Sequence, residues 1–205
     1  GGLVPALKEI GEAIVDMPPQ FRKLALVYFF QWYGMVCYWQ FIALSIAKEF
    51  FPPTQEGKEE AVAWTGLVNG WYNIITFSVA FSLVAFAKRR GAKLVHCICL
   101  MLAAIGLLIV PSMSNQYLIL LPMIGLGIAW ASIMGVPYIM AVRMIPSTRF
   151  GVYMGIINMM IVIPMLIQTV TFGWVYSTFL GDDPSNAIRF AAAHVPLQAA
   201  KRAAF

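Results

Sequence analysis

Charge is what this sequence has least of: only 11% of its 205 residues are Asp, Glu, Lys or Arg. All nine acids lie outside its apolar runs. A soluble domain of this length carries about a quarter charged residues, and one core could not hide so many uncharged stretches, so a water-soluble globule is excluded. Cysteine is scarce as well. Cys37, Cys97 and Cys99 sit inside apolar runs without a histidine or carboxylate at ligand spacing, which reads as buried thiols rather than a disulfide framework or a zinc site. There is no glycine-rich phosphate loop, no internal repeat, and no Ser/His, His/acid or metal constellation within the spans, so no enzyme and no cofactor is expected. The net charge of +5 is confined to short clusters between apolar runs, a pattern that orients a membrane chain instead of binding nucleic acid.

What is present is apolar surface, with 60% hydrophobic and 14% aromatic residues. Crossing a hydrocarbon core takes roughly 20 helical residues. The sequence predicts an all-α integral membrane fold with five complete spans, 24–47, 61–87, 94–110, 117–142 and 150–180, within a bundle over 24–181. Residues 1–23 form a lead-in with an interfacial amphipathic helix stopped by Pro18 and Pro19, and 182–205 form a truncated or altered sixth span. Arg189, His194, Pro196, Lys201 and Arg202 interrupt that last segment, and a central Arg or Lys costs about 2.5–3.5 kcal/mol on insertion. Lys8, Arg22, Lys23, Lys88, Arg89, Arg90, Lys93, Arg143 and Arg149 fall on one side, against Lys48 and Lys58 on the other. The N-terminus is therefore expected in the cytoplasm, with the chain in a cell membrane, inner or plasma. No signal peptide pattern opens the chain, whose left end reads as the interior of something longer.

Polar residues inside the spans are patterned. Thr65, Asn69, Tyr72, Asn73 and Thr76 repeat at helical spacing as one stripe, expected to turn away from lipid toward a solute path. Tyr38, Trp39 and Gln40 lie mid-run, where an interfacial aromatic belt does not apply, and suggest a cavity lining. Span 94–110 looks like a peripheral scaffold helix facing lipid, with His96 as a turn residue near its start. Gly127, Ala131 and Gly135 form one small-residue seam, flanked by Trp130, and Gly151 and Gly155 a second, with Asn158 one turn further on. Pro164 breaks a helical hydrogen bond two turns deeper, which lipid tolerates only beside protein or cavity water.

The stretch Gly151-Val-Tyr-Met-Gly155-Ile-Ile-Asn158-Met-Met-Ile-Val-Ile-Pro164 is similar to the G-x-x-x-G-x-x-N-x-x-x-x-x-P stretch in the eleventh helix of sucrose/proton symporters and their bacterial relatives in the major facilitator superfamily (glycoside-pentoside-hexuronide:cation symporter-like carriers). Ile14-Val-Asp-Met-Pro18 through Phe30-Gln-Trp32 resembles the lead into their seventh helix, and Gly135-Val-Pro137-Tyr138 the end of their tenth. The resemblance covers about Ala6 to Gly181. It implies the C-terminal half of a twelve-helix carrier whose N-terminal half is missing here, taking up a disaccharide such as sucrose or maltose with a proton or other cation by alternating access. On that resemblance Gln40, Asn69, Tyr72, Asn73, Thr76, Asn158 and Gln168 face the sugar and Trp39 or Trp130 lies against its ring. Arg89, Arg90, Gly91, Lys93, Arg149, Gly151 and Gly155 serve the cytoplasmic gate. Where plant members carry acids late in the seventh helix this chain has Ile42-Ala-Leu44, Met165 replaces the glutamine after the motif proline, and Lys88 replaces the acid of the gating turn. The alternative is a non-transporting membrane scaffold or assembly subunit, to which the glycine seams and the broken last span would also belong.

Overall fold

A computed structural model describes residues 2–196. The fold is all-helical, with no strand among the described residues. Seven α-helices follow in order: α1 (Leu3–Val15), α2 (Pro19–Phe50), α3 (Gln55–Arg90), α4 (Ala92–Ile109), α5 (Leu120–Met144), α6 (Phe150–Phe179) and α7 (Pro184–His194). Short turns join them. Thr54 caps α3 through its side-chain oxygen, and Gly91, at φ +99°, makes the sharp break between α3 and α4 that a side chain would resist.

Four helices are long and apolar enough to cross a membrane: α3, α4 with its following turn, and α5 and α6 with their leading turns. This is one fewer than expected. The helix that falls short is α2, which has ample length at 32 residues, but Gln31, Trp32, Tyr33, Tyr38, Trp39 and Gln40 lower its mean hydropathy. Its surroundings explain the composition. α2 packs on α3, α5, α6 and α7, so protein rather than lipid covers most of its middle.

The expected sixth span is an eleven-residue helix about 16 Å long, too short to cross. Instead, α7 lays Ala187, Ile188, Ala191 and Ala192 against α2 and α4, and Gly34 lets it come close: an added Cβ there would stand 3.1 Å from Ala191 O. The rest of the expected tail, 197–205, lies outside the described residues.

Helix α4 is two-faced. Leu94, Ile98, Met101, Ile105 and Leu108 point outward as expected, while Ala103, Ala104 and Gly106 press against neighbouring helices. An added Cβ at Gly106 would meet Pro122 O at 2.5 Å, and one at Gly125 would meet Leu102 O at 2.7 Å. His96 is not a turn residue: it is 3% exposed, with Nδ1 2.8 Å from the Ser132 hydroxyl on α5. The fold thus makes a Ser–His contact where the sequence expected none. With Ser132 fully buried and His96 Nε2 unpartnered, that contact fastens α4 to α5 in a sealed place.

Opposite ends of the bundle are tied differently. At one, Arg149 pairs with Asp16 at 3.1 Å and Glu12 at 4.0 Å, and Tyr153 Oη donates to Ala13 O, fixing α1 against the start of α6. At the other, Lys48 Nζ meets Asp183 at 2.7 Å, while Ser185 Oγ donates to Glu49 at 2.6 Å. The Lys48 hydrogen bond holds the Asp183 carboxyl below its ordinary range, and the same bond raises the Lys48 ammonium.

Candidate solute-facing site

Residues on a helix are about 100° apart, so Tyr38, Trp39 and Gln40 cannot share one lining. Each addresses a different helix. Tyr38 Oη donates to Asn69 Oδ1 on α3 at 2.8 Å, with its ring edge-on to Tyr72 at 6.2 Å. Trp39 stands edge-to-face with Trp130 on α5, ring centroids 5.5 Å apart, and both touch the buried Trp32. Gln40 Oε1 accepts from Gln168 Nε2 on α6 at 2.9 Å. The candidate residues therefore fall into three groups around α2, an α3 group beside Tyr38, an α5 pair at Trp39 and an α6 amide at Gln40, with Tyr38 and Gln40 on nearly opposite sides of the helix.

Within the α3 group the stripe is not uniform. Thr65 Oγ1 donates to Ala61 O, and Thr76 Oγ1 to both Tyr72 O and Gly127 O, the last at 2.8 Å across to α5. These hydroxyls are engaged by backbone, as threonines in apolar helices commonly are. Tyr72 is buried and Asn69 half-buried; Asn73 is exposed and donates back to Asn69 O at 2.8 Å.

On α6 the two amides differ. Asn158 is exposed, and none of the other candidates is a hydrogen-bond partner to it, whereas Gln168 is fully buried between α6 and α2. Pro164 is buried within α6. Gly151 and Gly155 meet no neighbouring helix: an added Cβ at either would find nothing within 4 Å. They line a cleft of about 420 Å³ with Glu9, Ile10, Val152, Ile156 and Met159, under the α1 helix. Of the remaining gate residues, Arg89, Arg90, Gly91 and Lys93 are exposed at the α3–α4 turn, and Arg149 is committed to Asp16 and Glu12.

Sequence reasoning missed the polar ladder between α2 and α6. Tyr33, Cys37 and Gln40 occupy one face at i, i+4 and i+7; Tyr33 Oη lies 3.0 Å from Thr171 Oγ1, and Gln168 Nε2 lies 3.4 Å from Cys37 Sγ. The signal was there in the spacing, matched by Gln168 and Thr171 three apart on α6. Below it, Phe41 packs edge-on to Phe172 at 5.2 Å.

Fold and site together define an all-helical protein, four of its helices fit to cross a membrane, with amides, hydroxyls and indoles gathered at mid-helix depth. Comparison with protein-family models, curated proteins and solved structures returned no match.

Proposed function

We propose that the chain is half of a secondary active carrier of the major facilitator kind, which takes up a disaccharide such as sucrose or maltose together with a proton by alternating access. In this reading α2 to α6 are the spans, with the amphiphilic α2 shielded by its neighbours and α7 standing for the sixth. The basic turns and the N-terminus lie in the cytoplasm, and a preceding half completes the path and supplies the coupling acid.

One observation carries the reading. The half-buried Trp39–Trp130 pair and the exposed Gln40, backed by Gln168, come from three different helices at mid-depth, on helix stretches without a single ionisable acid or base. Neutral amides and indoles on these uncharged stretches suit a neutral sugar, and polar groups at such depth are retained for function more readily than for adhesion, which yields only about 0.6 kcal/mol per contact. The scaffold reading is favoured by Thr65 and Thr76, whose hydroxyls are already satisfied inside the bundle.

Uptake of radiolabelled sucrose and maltose by cells expressing the intact gene product tests the proposal. Asn158→Leu is expected to abolish uptake while membrane insertion persists. Wild-type protein that inserts and accumulates neither sugar would point to the scaffold instead.

A further inference from the structure

Gln168 is fully buried, yet its Oε1 has no hydrogen-bond partner, and a buried unsatisfied carbonyl costs about 1–3 kcal/mol. Its amide nitrogen is spent twice, on Gln40 Oε1 and against Cys37 Sγ. Gln40 is exposed, so one movable side chain links this under-satisfied amide to the open face of α2. Neither α6 from Phe150 to Phe179 nor α2 from Leu24 to Ala47 contains an Asp, Glu, Lys or Arg that could balance a charged guest.

We infer that Gln40 and Gln168 form a subsite for one neutral hydroxyl of the solute, in which Gln40 swings aside, Gln168 Oε1 accepts the hydroxyl proton and Cys37 positions the Gln168 amide. The inference rests on the carrier reading and narrows its substrate class. A hydroxyl both donates and accepts, so it satisfies Gln168 Oε1 and can receive an N–H from Gln40. A carboxylate offers only acceptors; it would face the Gln168 carbonyl with no cation on those stretches of α2 and α6 to offset its desolvation, so sugar acids are disfavoured.

The Cys37 thiol, buried at rest and reached only through the opening that Gln40 leaves, reports occupancy. In the intact protein carrying Cys97→Ala and Cys99→Ala, the rate of Cys37 alkylation by N-ethylmaleimide is measured alone, with sucrose, and with methyl glucuronide. Sucrose at about three times its Kd should slow alkylation about fourfold, and methyl glucuronide should leave it unchanged. Gln168→Met should remove the sucrose effect, whereas Tyr33→Phe, which breaks the adjacent Tyr33–Thr171 pair, should keep it. Should Gln168→Met fail to insert, Gln40→Met gives the same test by weakening the protection. Equal slowing by both sugars, slowing by neither, or loss of protection in Tyr33→Phe as well would overturn the subsite. Sucrose uptake by the same protein reports separately: uptake with an insensitive Cys37 leaves the carrier and removes the subsite, while a protected Cys37 without uptake does the reverse.

Discussion

Gly127 on α5 and the pair Gly151 and Gly155 on α6 belong to small-residue rows of the same four-residue spacing, and their surroundings have nothing in common. An added Cβ at Gly127 would stand 2.6 Å from Tyr72 O and 2.7 Å from Ile75 Cβ; at Gly151 or Gly155 it would meet open space. The occupied row is fastened by Thr76, whose hydroxyl reaches Gly127 O, and no equivalent donor crosses to the open one among the described residues. Spacing of small residues states that a backbone can approach. A polar group opposite, aimed at the carbonyl the glycine uncovers, marks where one does.

The sharpest way to break this contrast is Gly127→Val. Forcing α3 and α5 apart against backbone atoms should cost about 1–3 kcal/mol or more, read as a lower thermal unfolding midpoint of the purified chain in detergent. Many perturbations lower stability, and the far end of the bundle supplies the control. Asp183, held acidic by Lys48, stabilises the fold at neutral pH and loses that contribution as pH falls through and below the ordinary carboxylate range. Because Lys48 is raised by the same bond, its contribution is complete below the ordinary ammonium range and is lost as pH rises through that range toward the raised value. The pair is half exposed, so Asp183→Asn should flatten the acid limb of a stability–pH curve by less than about 1 kcal/mol. Smaller still is Thr76→Val, expected to cost roughly 0.6 kcal/mol by chemical denaturation. Gly155→Val closes the series: unfolding should change by less than about 0.5 kcal/mol, and a larger loss would mean the open row is already filled.

Helix placement was legible because apolar runs and their Gly, Pro and basic punctuation are local signals. Each of the five expected stretches overlaps one long helix, with 117–119 in the turn before α5 and 110 just past the end of α4. Partnership was not local. Mean apolarity could not say that α2, short of a span by hydropathy, sits among α3, α5, α6 and α7. His96 beside a basic turn looked superficial, yet only the α4–α5 packing, set by Ala103, Ala104 and Gly106, buries it against Ser132. The stripe on α3 was correctly seen as periodic, but periodicity cannot tell Thr76, consumed by Gly127 O, from Asn73, which stays exposed.

Tyr38, Trp39 and Gln40 bind α2 to α3, α5 and α6 through consecutive residues. A shaft keyed at three points around one turn cannot rotate without losing all three keys together, whereas it can lean and take the other helices along. A motion of α2 that keeps all three contacts is therefore a tilt shared with its neighbours, and a disulfide that stops twisting alone would leave such a motion intact.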